Sequence, residues 1–69
     1  MTNEMLYTVK QASEVLGTNV SYVYKLIDAG QIRAMKLGAV KIRKEELLRF
    51  VTEAEGKDYT DPYNVKVMA

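Results

Sequence analysis

The stretch that decides the fold of this chain runs from residue 8 to residue 30 and reads TVKQASEVLGTNVSYVYKLIDAG. Thr8 and Gln11 have the spacing of a capping box, in which each side chain accepts a hydrogen bond from the backbone N–H of the other residue. Gly17 favours the end of a helix because it accepts a left-handed conformation. The apolar residues that recur at helical spacing between these signals are Val9, Ala12, Val15 and Leu16.

A second helix follows after a very short turn. Asn19 is a favoured N-cap residue, and Gly30 predicts the end of the helix. Because only residues 17–19 separate the two helices, they cannot return alongside each other through a long loop and must cross sharply. The stretch therefore predicts a helix-turn-helix.

At 100° per residue, the second helix divides into an inner and an outer face. Its inner face, directed towards the core, consists of Val23, Leu26 and Ile27. In a helix-turn-helix the first turn of this helix enters the major groove of DNA. The residues predicted to face DNA are Ser21 and Lys25 on the outer face, Tyr22 and Tyr24 beside it, and Val20 in the first turn. For the tyrosines, partial burial against neighbouring helices stays open as an alternative.

Residues 34–43 predict a hairpin around a two-residue loop, Gly38 and Ala39, with glycine first as in a type II′ turn. The cross-strand partners in this register are Ala34 with Arg43, Met35 with Ile42, Lys36 with Lys41, and Leu37 with Val40. The apolar pairs then share one face and the polar pairs share the other. Lys36 and Lys41 form a like-charge pair, which destabilises the hairpin.

Positive charge concentrates around this hairpin, although the net charge of the chain is only +1. Residues 32–44 contain no acidic residue and five basic ones: Arg33, Lys36, Lys41, Arg43 and Lys44. Clustered cations are typical of a surface that contacts phosphates. Lysines that protect an edge strand from pairing with other strands explain the same pattern without DNA. Because a helix-turn-helix lies immediately upstream, we favour phosphate contacts.

A third helix is predicted after the hairpin. The side chains expected to form its buried stripe are Leu47, Phe50, Val51 and Ala54, with Leu48 at the edge. Glu45 and Arg49 have the spacing of a supporting ion pair, and Gly56 predicts the end of the helix. Upstream of the first helix, residues 5–7 predict a short strand that adds to the hairpin, with Leu6 facing inward.

We expect one domain, residues 1–56, followed by a C-terminal tail, residues 57–69. Asp61 and Pro62 predict a turn in the tail, and the apolar alternation over residues 65–67 is a weak strand pattern. The tail is either mobile, or docked on the domain or on a partner. The sequence leaves these alternatives open.

Composition excludes several classes of protein. The apolar fraction of 48% and the charged fraction of 28% are those of a folded domain, and no apolar run is long enough to cross a membrane. The chain has no Cys and no His, which removes disulfides, zinc sites and the commonest general base. We therefore expect no enzymatic activity, metal or cofactor. Residues 1–9 lack the pattern of a signal peptide, and the absence of Cys suits the cytoplasm.

Residues 5–52 resemble the excisionase-family DNA-binding domain, a MerR-like winged helix-turn-helix. The residues that carry the resemblance are 7–17 (YTVKQASEVLG), 23–27 (VYKLI) with Gly30, 36–38 (KLG), 40–42 (VKI), and Leu47 with Phe50. Each piece alone is weak, and the combination is specific. The resemblance implies a mainly α fold with a small β-hairpin wing, and double-stranded DNA as the partner. It places the second helix in the major groove and the wing on the backbone or in the minor groove.

Three departures from the family pattern bear on binding. Val20 and Asp28 stand where family members often carry Arg, and the wing tip at Gly38 and Ala39 is one residue shorter and uncharged. Because these changes remove phosphate and guanine contacts, we expect weak binding by a monomer. A dimer, neighbouring copies on DNA or a site-specific recombinase then supplies the rest.

Three functions agree with these features. The first is an excisionase-like recombination directionality factor of a mobile element. We rank it first because the size of the chain resembles that of stand-alone excisionases and leaves no room for an effector domain. Such a factor is expected to be bacterial or phage in origin and associated with the nucleoid. The second is a small transcriptional regulator. The third is a protein-interaction module that uses the wing and the tail on a partner protein.

Overall fold

The computed structural model of the protein describes residues 5–68. Residues 1–4 of the expected domain and residue 69 of the expected tail lie outside this range. The expectation that residues 1–9 are not a signal peptide falls partly on these residues. The elements in chain order are β1 (Leu6–Thr8), α1 (Val9–Val15), α2 (Val20–Asp28), β2 (Met35–Leu37), β3 (Ala39–Arg43), α3 (Lys44–Ala54), β4 (Lys57–Asp58) and β5 (Lys66–Val67). Three helices with a small sheet confirm the predicted winged helix-turn-helix.

Local capping defines both helices of the helix-turn-helix, as predicted. The hydroxyl of Thr8 accepts the N–H of Gln11 at 3.0 Å, and Oε1 of Gln11 accepts the N–H of Thr8 at 2.9 Å. Gly17 ends the first helical segment with φ +69°, a left-handed conformation that other residues adopt at a cost. Asn19 then accepts the N–H of Tyr22 at 2.9 Å and starts α2.

All three helices and the sheet contribute to one core. Its buried residues are Val9, Ala12, Val23, Leu26, Ile32, Ile42, Leu47 and Phe50. The predicted inner face of α2 is confirmed for Val23 and Leu26, which are fully buried, and Ile27 packs beside them. Val15 and Val51, which the helical pattern assigned to inner faces, are each more than half exposed, because α1 and α3 turn them away from this core.

The sheet has the strand order β1-β3-β2, so β3 is central and β1 adds to the hairpin as predicted. Leu6 pairs with Arg43, and Tyr7 pairs with Ile42. Since paired residues point to the same face of a sheet, Tyr7 shares the inner face with the buried Ile42. The prediction that Leu6 faces inward is therefore wrong by one residue.

The predicted register of the hairpin is also wrong by one residue. Met35 pairs with Lys41 and Lys36 pairs with Val40, while Gly38 alone forms the tip at φ +78°. Ile42 of β3 belongs to the core and Val40 packs against it, whereas among the described residues none of β2 does either. Burial of one face therefore does not select the register of β2. The tight turn at Gly38, with its positive φ, selects the register instead.

In α3, the predicted pair of Glu45 with Arg49 does not form. Arg49 instead contacts Glu46 at 2.6 Å and Glu53 at 2.8 Å, and Glu45 lies 3.6 Å from Arg43. Helical spacing permits a pair three or four residues away in either direction. Arg49 pairs with Glu46 and not with Glu45 because Glu46 is half-buried beside it, whereas Glu45 is exposed to solvent.

The C-terminal segment, defined here as residues 57–68, turns back onto the domain. Its β4 and β5 pair in a small antiparallel sheet. Tyr59 packs edge-on against Phe50, with ring centroids 5.1 Å apart. The predicted turn at Asp61 forms, with the N–H of Asn64 donating to its carbonyl at 2.9 Å. The segment is thus joined to the core through Tyr59.

Candidate nucleic-acid interface

The outer face of α2 presents a continuous open surface. Ser21, Tyr24 and Lys25 are exposed there, and Val20 is 39% exposed in the first turn. An open groove of about 410 Å³ runs along this face, lined by Ser21, Tyr24, Lys25, Ile27, Asp28 and Tyr63. The structure thus brings three of the predicted DNA-facing side chains together in one groove.

Tyr22 has a different environment from the other predicted residues of α2. Its ring is half-buried against the core, and its hydroxyl donates to the backbone carbonyl of Tyr59. Burial raises the pKa of Tyr22, and the negative charge of Asp58 adds to the effect. The phenol therefore stays protonated and fastens the start of α2 to the C-terminal segment.

The cations of the wing lie on both faces of the sheet. Lys41 and Arg43 share the outer face, because they alternate with the buried Ile42. Lys36, which pairs with Val40, belongs to the other face. The predicted like-charge pair of Lys36 and Lys41 is absent, so its repulsion does not destabilise the wing.

Two arginines lie near each other at the base of the wing. Arg33 and Arg43 line a shallow depression of about 280 Å³ with Ala34, Met35 and Glu46. The backbone N–H of Arg33 donates to Oε2 of Glu46 at 2.8 Å. Glu46 thereby fixes the backbone at Arg33, while the Arg33 side chain remains exposed.

Lys44 lies in a third environment. It is exposed at the first position of α3, and its backbone N–H donates to the carbonyl of Met5 at 3.0 Å. It borders a small apolar depression lined by Tyr7, Val15, Leu47, Leu48 and Val51. The structure therefore does not bring Lys44 into one pocket with Arg33 and Arg43.

Two side-chain contacts near this surface were not predicted from the sequence. Arg49 ties α3 to the loop before β2, since it binds Glu46 and also donates to the carbonyl of Gln31 at 3.0 Å. Tyr63 reaches α2 from the C-terminal segment, and its hydroxyl donates to Oδ2 of Asp28 at 2.6 Å. Asp28 and Tyr63 are far apart in the chain, so no local sequence pattern predicts their contact.

None of the helices within residues 5–68 has the length and hydropathy needed to cross a membrane. Comparison with curated proteins gave no match, and comparison with solved structures gave none either. A family model, that of the helix-turn-helix domain, matches residues 6–55 of the 69. The match begins in β1 and ends directly after α3, so it spans the helix-turn-helix and the wing. The chain therefore belongs to the helix-turn-helix domain family, a DNA-binding family that includes excisionase-like proteins.

Proposed function

We propose that this protein binds duplex DNA sequence-specifically and acts as an excisionase-like recombination directionality factor. The observation that carries the proposal is the outer face of α2, which is open to solvent in a helix-turn-helix. Ser21 and Lys25 lie on that face with hydrogen-bonding groups suited to base edges, and Val20 offers an apolar contact for a thymine methyl. Tyr24 completes the proposed reading surface, and Tyr22, whose hydroxyl is bound to Tyr59, borders it.

The wing supplies phosphate contacts in this proposal. The proposed contacts are from the basic residues around the wing: Arg33, Lys36, Lys41, Arg43 and Lys44. Lysines and arginines that neutralise phosphates release counterions, so their contribution is read from the salt dependence of binding. Cations on both faces of the wing suit a hairpin that lies between the two sugar-phosphate backbones of a DNA groove.

We expect DNA affinity to fall steeply with salt. If about four phosphate contacts form, the slope of log affinity against log salt is about −3.6, at −0.9 per contact. Lys36→Ala is expected to flatten the slope by about one unit and to weaken binding to all sequences alike. Lys57→Ala, which removes the same charge outside the proposed interface, serves as the control. Fluorescence anisotropy over a salt series gives both slopes. A slope near zero favours a protein-interaction module instead.

Base reading is expected to depend on Ser21 and Lys25. A good bidentate base contact discriminates by about 1–3 kcal/mol, so single contacts from Ser21 and Lys25 belong at the lower end, and either alanine variant is expected to lose up to about tenfold on a preferred site and much less on random duplex. Lys10→Ala, at an exposed site on α1, is the matched control for the charge. Equal losses on both duplexes would assign these residues to phosphate positioning and remove base reading from α2.

The biological role is tested by where the protein binds. A footprint at the ends of a mobile element supports the directionality factor, and a footprint at a promoter supports a small transcriptional regulator. Val20 and the acidic Asp28 on α2 limit the contacts of one monomer. We therefore include neighbouring copies, or a site-specific recombinase, as partners in the proposed complex.

A further inference from the structure

The C-terminal segment follows α2 and is fixed to it at several points. The hydroxyl of Tyr22 donates to the carbonyl of Tyr59, near the start of α2. Beyond the end of α2, Nε2 of Gln31 donates to the carbonyl of Pro62 at 3.0 Å, and Pro62 is buried. A segment held at both ends of a helix has a defined position along it.

Tyr63 is the residue that this path brings to the outer face of α2. Its backbone N–H donates to Oδ1 of Asp61 at 3.0 Å, within the turn that also contains Pro62. Its hydroxyl donates to Asp28 at 2.6 Å. Tyr63 nevertheless remains 60% exposed, so the phenol is held at its tip while much of the ring faces solvent.

The ring of Tyr63 extends the surface that carries Ser21, Tyr24 and Lys25, since all four line the same open groove. An exposed aromatic ring beside a proposed interface is a candidate contact residue. Because its hydrogen bonds order it before binding, little conformational entropy is lost when a partner covers it.

We infer that Tyr63 contacts duplex DNA beside α2, and that Asp28 is the residue that positions it; this inference rests on the proposed function. The hydroxyl already donates to Asp28, so the ring offers mainly carbon to the partner. In the major groove the complementary apolar group is the C5-methyl of thymine. Tyr63 therefore adds a preference for thymine next to the bases read by Ser21 and Lys25.

The experiment measures the effect of single thymine methyl groups. A preferred duplex is selected from a random pool with the full chain, and each thymine is then replaced by deoxyuridine, which lacks only the methyl group. At the thymine next to Tyr63, as distinct from any thymine that Val20 contacts, the replacement is expected to weaken binding by the unchanged protein about fourfold, the value for one buried methylene or methyl group. Tyr63→Ala is expected to bind the thymine duplex and the deoxyuridine duplex of that position equally. Asp28→Ala keeps the ring but loses its anchor, and it is expected to lose the same methyl dependence.

Asp28→Asn separates positioning from charge. The amide oxygen still accepts from Tyr63, so the methyl dependence is expected to survive, while binding to every duplex becomes tighter because a negative charge near phosphate is gone. Val67→Ala, at a position 81% exposed in the same segment, is the control and is expected to behave as the unchanged protein. Thermal melting by circular dichroism verifies that each variant is folded.

Failure of the proposed function and failure of this inference are distinguishable. If the unchanged protein binds no duplex at low salt, the proposed function falls and this inference falls with it. If it binds duplex but Tyr63→Ala keeps the same dependence at every thymine, only the role of Tyr63 is overturned. The same holds if no thymine methyl affects the unchanged protein.

Discussion

Leu26→Ala is expected to lower the free energy of unfolding by about 3 kcal/mol, the largest effect of any single change considered for this protein. Leu26 is fully buried on the inner face of α2 and belongs to the core cluster that joins the helices to the sheet. A chain of this length has a total stability of about 3–10 kcal/mol, so the loss removes about a third of that stability or more. Urea unfolding followed by circular dichroism measures it, with an unchanged slope against urea.

Leu48→Ala makes the same chemical change at an exposed position. Leu48 is 57% exposed on α3, and its truncation is expected to alter stability by no more than about 0.5 kcal/mol. Similar costs for the two variants would contradict the burial of α2. A large cost for Leu26 alone supports the orientation that turns Ser21 and Lys25 outward, because a helix cannot bury one face without presenting the other.

The helix-turn-helix was predictable because its signals are local. Thr8 and Gln11 satisfy each other within one turn, and Asn19 caps α2 through the N–H of Tyr22. Such contacts depend on spacing alone and hardly on the rest of the chain. The inner face of α2 followed from the same spacing once its start was known.

The hairpin register was not predictable from alternation. Alternation selects a register only where one face of a strand is buried, and β2 extends beyond the core. Leu37 shows this directly, because it is apolar and still 60% exposed near the wing tip. The pattern of apolar residues was correct for β3, where Ile42 is fully buried, and failed for β2.

Long-range side-chain contacts could not be predicted from the sequence for another reason. Tyr63 meets Asp28, and Gln31 meets Pro62, only because the C-terminal segment turns back along α2. The turn at Asp61 was predictable, but its direction depends on Tyr59 packing against Phe50. The proposed surface therefore combines residues predicted from α2 with one that only the folded chain places there.

Glu46 is the charged residue on which α3 and the loop before β2 both depend. Its carboxylate accepts from Arg49 at 2.6 and 2.9 Å and from the backbone N–H of Arg33 at 2.8 Å. The hydrogen bonds from Arg49, and then the contact with Arg33, lower the pKa of Glu46 from its ordinary value of 4.5 to about 2, against the opposing effect of burial. The ionised form is therefore strongly favoured in the folded protein.

A depressed folded-state pKa fixes the sign of the pH dependence. Above pH 4.5 Glu46 is ionised in both states, and its stabilising contribution is fully present. As the pH falls from 4.5 to about 2, the unfolded chain takes up the proton first, and the contribution is lost. Because Arg49 is partly exposed to solvent, which screens the pair, we expect the contribution to be about 2 kcal/mol.

Glu46→Gln is accordingly expected to lower the free energy of unfolding by about 2 kcal/mol at pH 7, and the difference from the unchanged protein is expected to shrink towards zero near pH 2. Urea unfolding at a series of pH values measures both curves. Glu45→Gln is the matched control, because Glu45 is exposed and its contact with Arg43 is long, at 3.6 Å. Its curve is expected to stay within about 0.5 kcal/mol of the unchanged protein at every pH. If the Glu46→Gln curve runs parallel to that of the unchanged protein down to pH 2, its ionisation does not hold α3 to the loop.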